Sequence, residues 1–205
     1  MLLKDNETKV DPRTRRTRQM LHAAFRDLMR EQDFQSISVQ KITERAGLNR
    51  ATFYAHYVDK YALLAESVRE DLQTLLEQQM PDMRAFTLGN LRLLIITAYE
   101  FMGRFSGKCA PGAAGDHAEQ MLIGVQVQQH IYEMLKDWFE REQTGERRHA
   151  ISTEHGALAL SWTIFGTASQ SMMVAHKPAS REFADELLAF LRPALSEYLS
   201  PEVED

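Results

Sequence analysis

Between Ser38 and Lys60 the chain reads SVQKITERAGLNRATFYAHYVDK, and its side chains suit a surface that meets nucleic acid. Gln40, Arg50, Ala51 and Thr52 fall where side chains reach base edges. A guanidinium can pair with guanine through two atoms and a carboxamide with adenine, each good pair giving about 1–3 kcal/mol of discrimination. Tyr54, His56 and Lys60 fall where a sugar-phosphate backbone would pass. A phenol, an imidazole and an ammonium each donate a hydrogen bond to phosphate oxygens without reading sequence.

Groups so arranged need two short helices held at an angle. Ser38 is a good N-cap for a helix through about Ala46, with Ile42 facing inward and Gly47 just past its end. Asn49 can cap the next helix, Arg50 to about His56. Isolated helices need roughly 12–15 residues to be stable, so these two must be clamped by neighbours. Ile42, Leu48, Phe53 and Tyr57 form the expected wedge between them, which is the helix-turn-helix pattern. Ahead of it a helix starts at Pro12, with Met20, Leu21, Ala24, Phe25, Leu28 and Met29 on one face and Arg13, Arg15, Arg16 and Arg18 opening the other. This helix fades at Gln32, Asp33 and Phe34. Asp59 can cap a fourth, carrying Leu63, Leu64, Val68, Leu72, Leu75 and Leu76 to a stop near Pro81.

The segment ISVQKITERAGLNRATFYAHYVDKYALL resembles the DNA-binding signature of the TetR/AcrR family of bacterial transcriptional regulators. That signature has a Thr or Ser opening helix two, an apolar-Ala-Gly-apolar turn, and T-[FL]-Y-x-H-[FVY] ahead of a Lys. Here Ser38, Ala46-Gly47-Leu48, Thr52-Phe53-Tyr54, His56-Tyr57 and Lys60 stand at those places. The resemblance covers roughly residues 13–70; beyond them only length and helical content agree. It implies a homodimer on a two-fold operator, a ligand pocket in the C-terminal helices, and phosphate contacts at Thr52, Tyr54, His56 and Lys60. The variable base-reading positions of the family fall on Gln40, Arg50 and Ala51.

The net charge of -5 hides a division. Residues 1–60 carry twelve Lys/Arg against eight Asp/Glu, and residues 61–205 carry twelve against twenty-one. A basic part facing polyanion and an acidic part facing away is the arrangement this favours. The expected organisation is a disordered tail over 1–11, a helix-turn-helix domain over 12–60, and a helical effector-binding and dimerisation domain over 61–205.

The acidic part also reads as helices, so the class is all-α. Thr87 to Phe105 has Leu88, Leu91, Leu94, Ile95, Ala98, Met102 and Phe105 on one side. Ser106 to Asp116 is a loop by its Gly and Pro content. His117 to Glu142 carries Met121, Leu122, Val125, Tyr132, Leu135 and Phe139. Ser152 to His176 is apolar around most of its circumference and rich in small residues, so it is either central to one subunit or part of an interface. With the helix from Ser180 to about Leu199, interrupted at Pro193, it could build a four-helix dimer contact. Phe101, Met102, Phe105, Met121, Trp162, Phe165 and Met172 are candidate pocket linings for a small-molecule effector, and equally fit a plain core.

No G-x-S-x-G, phosphate-binding glycine loop or H-E-x-x-H occurs, so neither an enzyme nor a metal or other cofactor is expected. The single cysteine, Cys109, excludes an internal disulfide and is read as an ordinary loop thiol. No apolar run reaches the roughly 18 residues of a membrane span and the N-terminus lacks a signal-peptide pattern, which makes the expected location cytoplasmic. The expected function is a ligand-responsive repressor; the alternative is a coactivator or DNA-bound structural factor of the same fold acting through a protein partner.

Overall fold

The computed structural model describes residues 11–80, 85–106, 117–142, 151–174 and 176–195. The expected tail before Asp11, the stop at Pro81, and the loop with Cys109 lie outside these residues. Among the described residues there are eight α-helices, one short 3₁₀ turn and no strand. They are α1 (Pro12–Glu31), α2 (Val39–Ala46), α3 (Arg50–Tyr54), α4 (Lys60–Gln79), α5 (Leu88–Ser106), α6 (His117–Glu142), α7 (Thr153–Ser171) and α8 (Ser180–Leu195). The 3₁₀ turn, Phe34–Ser36, separates α1 from α2. The chain divides into two compact units, the first ending at Ser67 and the second beginning at Val68, so the division falls inside α4.

In the first unit the helix ends follow local chemistry. Asp11 accepts from the Arg13 N–H at 2.9 Å, and Pro12 opens α1 where a missing N–H costs nothing. Ser38 Oγ accepts from the Lys41 N–H at 3.2 Å. Gly47 closes α2 at φ +66°, the left-handed conformation that an L side chain resists. Asn49 Oδ1 accepts from the Thr52 N–H at 2.7 Å, and Asp59 Oδ1 from the Ala62 N–H at 2.8 Å. The core is the expected wedge extended by α1: Leu21, Phe25, Phe34, Ile37, Ile42, Phe53 and Leu63 are fully buried.

The second unit packs α5, α6, α7 and α8. Leu91, Leu94, Ile95 and Ala98 of α5 are buried, as periodicity predicts. For α6 the expected face holds in its second half, where Leu135 and Phe139 are buried, and fails in its first. Met121 and Val125 are 74% and 51% exposed, while Ile123, Val127, Ile131, Leu135 and Trp138 make the buried stripe. Apolar residues occur on two faces of this helix, and the one that packs is the one bearing Trp138, wholly buried beside Phe86 at 6.0 Å. Gln128 donates to Ser161 Oγ at 3.0 Å, a buried polar link from α6 to α7. Arg92 grips Asp185 through two nitrogens, at 2.6 and 2.9 Å, tying α5 to α8. Helix α8 runs through Pro193, the expected interruption, to Leu195.

Candidate nucleic-acid interface

Helix α3 is five residues long and buries one side chain completely, Phe53. The Phe53 ring meets Tyr57 at 5.7 Å and Tyr54 edge-on at 5.5 Å. With Phe53 turned in, the rest of the helix is turned out. Arg50, Ala51 and Tyr54 are exposed, Tyr54 by 51%, and Thr52 and His56 are partly exposed. Gln40 lies exposed on α2, where its carboxamide donates to Glu44 Oε1 at 2.8 Å. These six residues therefore stand on the outer surface of one helix-turn-helix. The Thr52 hydroxyl donates to Asn49 Oδ1 at 3.0 Å, so it must rotate before it can donate to a phosphate.

Lys60 has a different position from the one its spacing suggests. Its ammonium donates to the carbonyls of Phe34 at 2.9 Å, Gln35 at 3.3 Å and Ile37 at 3.0 Å, and lies 4.3 Å from the centre of the Phe34 ring. An ammonium has three donors, and three carbonyls at the end of a 3₁₀ turn occupy them. Lys60 thus ties the first turn of α4 to the segment that leads into α2.

Two further ties fix α2. Arg45 holds Glu31 at the end of α1 by a two-armed pair at 2.8 and 2.7 Å, and this bond keeps the Glu31 carboxyl below its ordinary range. Lys41 donates to Gln32 Oε1 at 2.9 Å and to the Ser36 carbonyl at 2.8 Å. Both lysines hold the 3₁₀ turn, which the sequence pattern had not revealed as an element.

A pattern described as bacterial regulatory proteins of the tetR family matches residues 21–67, the stretch just described. Over those residues the chain is similar to the tetR family. An HTH-type transcriptional regulator from Bacillus subtilis (strain 168), YxbF, is 35% identical over 75 residues, 36% of this chain. The match spans only 20% of that relative's length. Solved structures share the fold at lower identity. The transcriptional regulator FadR from Bacillus subtilis, solved with stearoyl-CoA, is 16% identical over 84% of this chain and 96% of its own, with a TM-score of 0.54. RolR, solved with resorcinol, is 14% identical over 94% of this chain and 97% of its own, with a TM-score of 0.56. No helix among the described residues is long and apolar enough to cross a membrane.

The candidate effector residues differ in exposure. Phe101 is buried and its ring meets Phe105 at 5.2 Å. Met172 lies against Gly103, 3.8 Å from where a Cβ would stand. Phe165 fills the place of the Cβ that Gly124 lacks, 2.9 Å from it, so a side chain there would collide with the ring. Met102 is partly exposed. Met121 and Trp162 are exposed by 74% and 54% and do not line an interior cavity of a single chain. Sequence pattern alone could not separate these two outward residues from the inward ones, because both lie on helices with two apolar faces.

Proposed function

We propose that this protein is a ligand-responsive repressor that binds a two-fold operator as a homodimer. The outward set on α2 and α3 carries the reading: Gln40, Arg50, Ala51 and Thr52 toward base edges, and Thr52, Tyr54 and His56 toward phosphates. In such a complex the reader enters the major groove, and the two half-sites lie about 34–36 Å apart or at a larger helical interval. Selection from a randomised duplex pool tests this directly. The pure protein should enrich one two-fold sequence, and failure to enrich any sequence would sink the reading. Arg50→Ala should then relax preference at particular base pairs, by about 1–3 kcal/mol at each. Tyr54→Phe should instead weaken all sequences alike. It should leave the salt dependence unchanged, because a neutral phenol displaces no counterion.

The dimer reading is supported by α7 and α8. Helix α7 buries Ala157, Leu160, Ser161, Ile164 and Ala168, yet Leu158, Trp162 and Gly166 follow one another at four-residue spacing on its outside. On α8, Phe190 is 76% exposed with Ala194 four residues on. A large apolar pair with small neighbours is what close helix-to-helix approach requires. Trp162→Glu with Phe190→Glu should convert the dimer to monomer in sedimentation and abolish binding to the two-fold site. A dimer that survives both changes excludes this face.

An effector in the C-terminal helices would act by favouring a conformation whose two readers no longer match the half-site spacing. Effector and DNA affinities are then reciprocally coupled, by about 1–3 kcal/mol in typical cases. That FadR and RolR, of the same fold, are solved with stearoyl-CoA and resorcinol supports a small organic effector without naming it.

A further inference from the structure

We infer that His22 is a positioning residue for the DNA-reading helix, setting the orientation of α3 through the Tyr57 hydroxyl; the inference rests on the DNA-binding role proposed above. Three elements meet at this imidazole. His22 lies on α1 and is 1% exposed. One ring nitrogen, Nε2, shares a hydrogen bond with Tyr57 Oη at 2.8 Å, and the other, Nδ1, shares one with Ser67 Oγ of α4 at 3.1 Å. The two rings also meet edge-on at 5.9 Å. Around them Arg18 donates to Glu66 at 2.9 Å, and its guanidinium lies 5.5 Å from the Tyr57 ring centre.

A helix of five residues with one buried side chain has little to hold its direction. Phe53 anchors it, but an apolar contact is non-directional and permits rocking. Tyr57, three residues past the end of α3, presses on Phe53, and Phe53 presses on Tyr54, the exposed phenol of the reader. A hydrogen bond to Tyr57 Oη fixes one end of that row of rings. A neutral imidazole has a donor on one edge and an acceptor on the other, and so can bond a phenol and a serine at once. Burial, with Arg26 and Arg18 nearby, keeps it neutral, its pKa lowered to about 4.

The alternative role is stability alone, and a double substitution separates the two. His22→Phe removes one partner of Tyr57 Oη, which also interacts with Arg18 and Glu66, and Tyr57→Phe leaves His22 Nε2 short of its partner. Made together they replace both partners by apolar rings, an exchange that can be nearly neutral for stability. Ser67 can turn its hydroxyl back to a carbonyl of its own helix, as Thr43 does to Val39 at 3.0 Å. His22→Phe with Tyr57→Phe should therefore melt within about 3 °C of the parent. Its affinity for the duplex that the parent selects from a randomised pool should fall on the order of tenfold, the equivalent of losing one base contact. Affinity for mixed-sequence duplex, held by phosphate contacts, should stay the same. A folded double variant with parental affinity and parental preference overturns the positioning role. If the double variant does not fold, Tyr57→Phe alone decides on the same two duplexes. If the parent itself selects no duplex, the DNA-binding proposal fails first, and the positioning role with it.

Discussion

Phe53→Ala should melt the reader and remove DNA binding altogether, at every sequence and every salt concentration. Phe53 is wholly buried and is the one side chain of α3 that is. Truncating a buried phenylalanine costs about 3–5 kcal/mol, from lost transfer free energy and the cavity left behind. Domains of this size have about 5–15 kcal/mol in total, and the helix in question is too short to survive without its anchor. The neighbouring rings cannot close the gap cheaply, because Tyr57 is held by His22 and Tyr54 projects outward. Amide exchange should show the loss first in α2 and α3. Val58→Ala serves as the comparison: Val58 is 81% exposed, and its truncation should change stability by no more than about 0.5 kcal/mol. A Phe53→Ala protein that keeps amide protection in α3 would show that the reader is held by something else. The contrast with Arg50→Ala is the informative part. One change removes the platform and the other a single contact, so only the second should leave non-specific binding intact.

What could be read from the residues, and what could not, divides by the range of the interaction. Ser38, Gly47, Asn49 and Asp59 act within four residues of themselves, and their caps are visible as sequence. The wedge of Ile42, Phe53 and Tyr57 was equally legible, since two short helices leave few other ways to bury them. Lys60 was not, because its four-carbon stem can turn either way. Only the tertiary fold brings the carbonyls of Phe34, Gln35 and Ile37 within its reach. The inward face of the first half of α6 was missed for a related reason, though Leu135 and Phe139 were placed correctly. A helix of 26 residues with apolar groups on two faces has no preferred phase until a partner is chosen. His22 gave no signal at all: one histidine in an apolar stripe matches many patterns, and its meaning comes from Tyr57, thirty-five residues on.

Acidification from pH 6.5 to 4 should destabilise the protein through His22, by about 2–3 kcal/mol. The folded protein holds this imidazole at a pKa of about 4, against 6.5 for a free one, first because it is buried and then because Arg26 and Arg18 repel its proton. The sign follows from where the proton goes. Between pH 6.5 and 4 the unfolded chain binds it and the folded chain does not, so stability falls with pH across that window and levels out below it. Other groups titrate nearby. The carboxyls of Glu31 and Asp185 are held low by Arg45 and Arg92, and partly buried His130 is also lowered. Their contributions are common to the parent and to the His22→Phe, Tyr57→Phe protein, so they cancel in the difference between the two. Urea midpoints measured from pH 7 to 3.5 should therefore diverge as pH falls, with the parent losing more. A difference that stays flat from 6.5 to 4 would mean that the imidazole accepts a proton without leaving its place. It would follow that Glu66, whose Oε1 is 3.8 Å from His22 Nε2, compensates the charge. Above pH 6.5 the imidazole is neutral in both states, so a reader positioned through it should bind DNA with an affinity that this residue does not make pH-dependent.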